Sequence, residues 1–296
     1  TVASTSQIFS AENFAEALEY QVERGFDAQG IPYVQRKEVI ADLVDVLIDR
    51  LFDLPASEWP TLFSIMEQGF LNKQLVLFSA DTKVEETLSQ AGWAGRMTTQ
   101  TPDVQLFVDA NLASFKSDLV VQRSESYEIF QNSAGQWIGR TRVHYKHNGN
   151  FDWKTTRYRT YARLLVPKGS ELIRVEGALV DDKLKDPNGR AGTVDVSEEL
   201  GFTAFGVFTS IEPHETRDLV FEYLLAPTVV EAITSGGYGL TVLKQIGTAS
   251  YPLTLDLEFG KKVSSANPAE SSLEWGDQRY RLNTELSQDR IFQVSF

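Results

Sequence analysis

One change of period limits what this chain can become. Up to about residue 98 the apolar residues recur every three or four positions. From about Asp103 they alternate. The first spacing puts side chains on one face of a helix and the second on one face of a strand. The sequence therefore predicts an α+β chain: a small helical N-terminal part, then an antiparallel β-sandwich of immunoglobulin-like kind.

In the helical stretch, Ser10 is placed to cap a helix running to about Arg24, with Phe14, Leu18 and Val22 on one face. Gly25, Gly30 and Pro32 interrupt it. A second helix from about Arg36 to Phe52 carries Val39, Ile40, Leu43, Val44, Leu47, Ile48 and Leu51, a stripe wide enough to predict that it is mostly buried. Pro60 suits the first turn of a third helix to about Gly69. Gln74 to Phe78 reads as a short strand. Thr82-Lys-Val-Glu85 has capping-box spacing and opens a helix to about Gln90, which Gly92-Trp93-Ala94-Gly95 ends.

Beyond Asp103, Asn132-Ser-Ala-Gly135 is turn chemistry between two alternating runs and predicts a hairpin. Further strands are expected near 156–166, 171–179, 202–211, 216–225, 238–246, 253–259, 279–285 and 290–295. The expected division is a helical region 1–98, a β-sandwich domain 99–226, and a C-terminal β region 227–296. That last region is either a second sandwich or the completion of the first.

Composition narrows function. Of 296 residues, 42% are hydrophobic and 23% charged, as in ordinary folded proteins. A net charge of −13 repels nucleic acid and anionic headgroups, so neither is an expected partner. The absence of cysteine removes disulfides, thiolate nucleophiles and cysteine-bound metal. It also suits an exported bacterial protein. The chain opens on Thr1 rather than methionine, from which an upstream signal or anchor is expected to have been removed. No apolar run reaches the roughly 18 residues of a membrane span.

No Gly-x-Ser-x-Gly elbow, Walker loop or Gly-x-Gly-x-x-Gly is present. His144 and His147 lie three apart on an expected strand and so point to opposite faces. No catalytic constellation is visible.

One block of local motifs carries a likeness. It comprises Gly92-Trp93-Ala94-Gly95, the strand into Asn111, Lys116-Ser117, Tyr158-x-x-Tyr161-x-Arg163, and the Pro167-x-Gly169-Ser170 turn. In order and spacing it resembles the bacterial family known as domain of unknown function 4012. The resemblance implies an exported cell-envelope protein. It also implies a distant upstream likeness to LytR-CpsA-Psr phosphotransferases, which attach glycopolymers to cell walls through arginines and bound magnesium. Arg36, Lys37 and Arg50 do not rebuild such a cluster.

Four groups of residues are candidate sites. Asp182, Asp186, Asn188 and Asp195 form an acidic loop that can converge on calcium or simply form solvated turns. Asn111 and Lys116 are a polar binding spot or a loop satisfying its own backbone. Tyr161 and Arg163 share a strand face and can pair across strands or, with Trp137, Trp153 and Trp275, offer a sugar-binding surface. The β-prone ends, Val2 to Ile8 and Ile291 to Phe296, can pair with a neighbouring subunit or lie as intramolecular edge strands.

The expected function is that of a non-enzymatic extracellular surface protein acting through protein–protein contacts, as a subunit of an ordered assembly. Its partners would be further copies of itself or other envelope proteins. The alternatives are an accessory to glycopolymer attachment and a module that binds cell-wall glycans. No cofactor is expected beyond calcium at the acidic loop.

Overall fold

The computed structural model describes residues 8–97 and 99–296. Contacts divide the chain into two compact units that meet between Glu67 and Gln68.

In the first unit, α1 (Phe14–Tyr20) passes through a wider π turn at Gln21–Gly25 into the short α2 (Phe26–Ala28). Ser10 is not the cap. Asn13 holds that position and turns back on the preceding chain, accepting from the Ser10 amide at 2.8 Å and donating to the Ile8 carbonyl at 3.0 Å. A single turn of 3-10 helix at Tyr33–Gln35 leads to α3 (Glu38–Phe52). The core here is small: Val22, Val39 and Leu43, with Phe9 and Leu18 against them.

The expected burial of α3 does not occur. Only Val39 and Leu43 are buried, while Val44, Leu47 and Ile48 are 46%, 49% and 46% exposed. A unit this small encloses too little volume to cover a second apolar face.

The unit boundary falls inside α4 (Trp59–Leu71). Residues from Gln68 onward therefore group with the sheets, and the helical stretch is not one part. Gln74 to Phe78 is irregular rather than a strand, because it has no ladder; Leu77 gives one hydrogen bond, to the Trp93 carbonyl at 2.9 Å. α5 (Thr82–Gln90) is capped one residue earlier than the spacing suggested. Asp81 accepts from the Lys83 and Val84 amides, and Glu85 reaches back to the Ser79 amide at 3.0 Å.

The strands follow in chain order: β1 (Asp103–Asn111), β2 (Val121–Gln131), β3 (Trp137–His147), β4 (Tyr158–Pro167), β5 (Glu171–Glu176), β6 (Asp195–Glu199), β7 (Phe202–Ile211) and β8 (Thr216–Leu224). Helix α6 (Pro227–Thr234) precedes β9 (Gly237–Leu243), β10 (Pro252–Glu258), β11 (Ser265–Asn267), β12 (Arg279–Glu285) and β13 (Arg290–Ser295). The Asn132–Gly135 hairpin forms as expected, with the Asn132 carboxamide oxygen accepting from the Ala134 and Gln136 amides at 3.0 Å each.

The antiparallel, immunoglobulin-like sandwich is not the architecture. Seven strands lie in the order β11-β13-β9-β1-β4-β7-β6 and six in the order β12-β10-β2-β3-β8-β5. Both sheets are open and mixed, since β1 runs parallel to β9 and β2 parallel to β10. Alternation along a strand is the same whichever way its neighbour runs, so the direction of pairing was hidden. Residues 227–296 complete both sheets, β9, β11 and β13 joining the first and β10 and β12 the second.

The inner faces share one core. Phe107, Tyr158, Phe205, Tyr238 and Phe292 come from the seven-stranded sheet, and Tyr127, Tyr145, Phe221, Tyr223 and Tyr280 from the other. The tyrosine hydroxyls need acceptors in this apolar setting, and β1 supplies several of them from its inward positions. Tyr127 and Tyr238 donate to Asp103 Oδ2 at 2.7 and 2.5 Å, and Tyr145 donates to Asp109 Oδ1 at 2.8 Å. Gln105 bonds the Tyr223 hydroxyl and accepts from Thr141 at 2.8 Å.

Candidate functional site

The residues singled out from sequence fall in separate places. In the acidic loop, Asp182 is buried and already neutralised. Arg159 binds one oxygen, and the Leu184 and Lys185 amides donate to the other at 2.8 and 3.2 Å. Burial raises the Asp182 pKa, but the Arg159 and backbone bonds prevail and hold it below the ordinary carboxylate value. Asp186 accepts from the Arg190 amide and guanidinium at 2.9 and 3.2 Å, and Asn188 is exposed. Asp195 sits on β6 and accepts from Tyr161 at 2.6 Å. The three aspartates are spent on different partners. Among the described residues no group of three or more metal-ligating side chains is placed to share an ion.

Asn111 is a turn former. It donates to Asp118 and accepts from the Ser114 amide at 2.8 Å; Lys116 stands exposed beside it. Tyr161 and Arg163 share the outer face of the seven-stranded sheet and both reach across β7 to β6, Arg163 taking both Glu199 oxygens at 2.9 and 2.8 Å. Trp137 packs on the core, and Trp275 is 43% exposed. Val2 lies outside the described residues, and Ile8 is exposed. The last strand is not an edge: Gln293 to Ser295 pair with β9 on one side and β11 on the other. Ile291 is 38% exposed, and Phe296 stacks on Phe259 with centroids 4.6 Å apart.

The outer face of the six-stranded sheet is ionic. A row runs across all six strands through Arg281, Asp256, Glu128, Arg140, Glu222 and Arg174. Over it lies a shallow groove of about 290 Å³. Its charges are mutually satisfied, Arg140 bridging Glu128 and Glu222 and Arg279 bridging Asp256 and Glu258.

The same face aligns Asp218, His144 and Ser124 on three adjacent strands, with His144 Nδ1 2.6 Å from Asp218 Oδ1. This is not a nucleophilic triad. No hydrogen bond joins Ser124 to His144, the pair is nearly half exposed, and strand amides committed to the ladder leave no oxyanion hole. His147 lies on the opposite face from His144, as the spacing predicted; it is buried and bonds the Thr156 carbonyl at 2.8 Å.

A larger and more apolar cleft lies on the seven-stranded sheet. The outward residues of β1, Val104 and Leu106, join Leu165, Ala204 and Leu243 in a small satellite core covered by Met97. Beside it opens a cleft of about 650 Å³, within the range of small-molecule sites. Leu106, Val108, Leu200, Leu243 and Ile246 give it apolar walls, and Lys73, Arg96 and Lys244 give it cations.

Its frame is held by hydrogen bonds between two distant segments. Gly247 donates to the Lys73 carbonyl at 2.8 Å, and the Gln74 amide side chain donates to the Thr248 carbonyl at 2.7 Å. Gln245 clamps the end of β1 through both backbone atoms of Asp109, at 2.9 and 2.8 Å. Phe70 stacks on Trp93 at 4.5 Å. Gly95, in the same turn, has φ +65°, and a Cβ there would stand 3.1 Å from both Ile246 and Val76. Lys73 and Leu200 also take left-handed φ, 55° and 52°, which costs a non-glycine residue roughly 1–2 kcal/mol. Such strain gathers where a site fixes its geometry.

Lys244 is 2% exposed. Burial, with Lys73 and Arg123 nearby, pulls its pKa below the ordinary lysine value. None of these residues was a sequence candidate. The Gly92–Gly95 motif was the only visible trace of the cleft.

No family model matches the sequence, and no curated protein does. Solved structures resemble it faintly. A putative nutrient-binding protein from Legionella pneumophila is 9% identical over 65% of this chain and 71% of its own, with a TM-score of 0.39. Leukotriene A4 hydrolase from Saccharomyces cerevisiae is 8% identical over 63% of this chain but 30% of its own, with a TM-score of 0.35. An M1 zinc metallopeptidase from Deinococcus radiodurans is 8% identical over 62% of this chain and 43% of its own, at 0.26. Scores this low establish neither a shared fold nor a shared activity.

Proposed function

We propose that residues 68–296 form a binding module whose ligand is a small, largely apolar molecule seated in the cleft on β1 and β9. The observation that carries this reading is the cleft itself: a concave site of about 650 Å³ with apolar walls, braced by residues held in costly backbone conformations. Its polar side chains are few, Lys73, Arg96, Lys244 and Gln245 among apolar ones, as in sites where a few polar groups orient a ligand.

The test uses the neutral fluorophore N-phenyl-1-naphthylamine on the full chain. One site per chain is expected. Leu200 is 74% exposed, so Leu200→Trp fills the cleft without disturbing the core. It should weaken binding at least tenfold at an unchanged melting temperature, and Val108→Phe should do the same. Undiminished binding in both variants would overturn the reading.

A second reading rests on the first unit. Phe52 is 75% exposed at the end of the α3 stripe, and Phe63 and Ile65 on α4 are 60% and 64% exposed. An apolar surface of that extent supports contact with another protein, and further copies of this chain are the partner we favour. A cell-envelope location is supported by the cysteine-free, acidic composition and by the motif likeness to family 4012. No helix among the described residues is long and apolar enough to cross a membrane.

A further inference from the structure

The cleft is unusual in its charge. The chain carries −13 overall, yet no aspartate or glutamate lines the cleft, while three cations do. Two of the three are matched from behind: Lys73 by Asp289 at 2.7 Å and Arg96 by Glu85 at 3.3 Å. Lys244 makes no side-chain ion pair, and the one carboxylate that attracts it, Asp289, is shared with Lys73. Asp289 accepts from its backbone amide at 2.8 Å and gives its other oxygen to Lys73. The Lys244 ammonium donates to the Asn72 and Thr248 carbonyls at 3.0 and 2.5 Å, which uses two of its three N–H bonds. The third has no acceptor among the described residues. Three cations against two carboxylates leave one positive charge unmatched, on a lysine that is almost wholly buried and lines an otherwise largely apolar cleft. Leaving it so is costly, and an anion entering the cleft relieves that cost.

The rest of the lining says what the anion is attached to. Gln245 is the remaining polar side chain there, and both ends of its amide are already tied to Asp109. Beyond the head group, then, the cleft offers Leu106, Val108 and Leu243, which reward hydrocarbon.

We propose that the cleft binds an aliphatic carboxylate, its single negative charge taken by Lys244 and its chain laid along β1 and β9. This rests on the binding-module reading and names its ligand class. A phosphate monoester, with a charge of about −1.5 to −2 at neutral pH, would exceed the one charge available.

The experiment displaces N-phenyl-1-naphthylamine from the full chain with decanoate, decan-1-ol and decyl phosphate, each below its aggregation concentration. Decanoate should compete best. Lys244→Met keeps the stem and removes the charge. It should weaken decanoate roughly tenfold to a hundredfold, the worth of a charge-assisted hydrogen bond, and leave decanol unchanged. Should Lys244→Met fail to fold, a salt titration of the wild-type chain replaces it, and added salt should weaken decanoate and not decanol. Fluorophore binding that Leu200→Trp blocks, with decanoate no better than decanol or indifferent to Lys244, would overturn the carboxylate and spare the cleft. Decyl phosphate outcompeting decanoate would also overturn it. Loss of a cleft-dependent signal altogether would overturn the binding module first.

Discussion

Asp103 shows how a single buried carboxylate is tolerated. It has no exposed surface, and burial lifts its pKa to about 6, against the pull of the Tyr238, Tyr127 and Val104 donors. Glu125 is raised to about 6 as well, by burial first, with Arg123 and Tyr251 opposing; one of its oxygens has no partner. The sign follows directly. Between about pH 4 and pH 6 the folded chain holds protons that the unfolded chain has released, so stability falls as pH rises through that window. Each group contributes about 2–3 kcal/mol. Urea unfolding between pH 4 and pH 7 should show the decline, and Asp103→Asn should remove part of it; an identical slope in that variant would clear Asp103. Tyr238→Phe strips Asp103 of a donor. It should cost about 1–3 kcal/mol at pH 7 while shifting the decline to higher pH.

At the level of the element, β6 is the short, acidic edge of the seven-stranded sheet, and Tyr161 and Arg163 clasp it from two strands away. Tyr161 can do so because Gly206 lies beneath it. A Cβ at Gly206 would stand 2.3 Å from the tyrosine oxygen. Gly206→Ala must therefore push the ring off and break its bond to Asp195, at about 1–2 kcal/mol. In a Tyr161→Ala background the same change should cost almost nothing, a non-additivity that thermal melts of the four proteins would measure. The pairing of Tyr161 and Arg163 on one face was legible in the sequence, because alternation fixes faces. So was the Asn132–Gly135 hairpin, where turn chemistry is local. The run Asp195–Glu199 was not, being too polar to read as a strand. Nor was the cleft, whose walls come from residues near 73, 96, 107, 200 and 245, brought together by several long-range pairings, the parallel return of β9 to β1 among them.

For the whole molecule, the two units differ in how they meet solvent. The sheets enclose a deep common core, while the helical unit encloses three buried apolar side chains and leaves a stripe open. If copies of the chain cover that stripe, light scattering should show association that grows with concentration. Leu47→Glu with Phe52→Glu should abolish it while leaving helicity intact; a wild-type monomer at high concentration would dispose of this idea. The pairing of β9 with β1 and of β10 with β2 has a consequence for biosynthesis. β1 and β2 leave the ribosome long before the strands that complete their sheets, so during translation each waits with a bare flank. The nascent chain is thus most vulnerable in the interval before β9 and β10 emerge, when β1 and β2 are each paired on one side only. A cell producing this protein has to bridge that interval with chaperones or with speed.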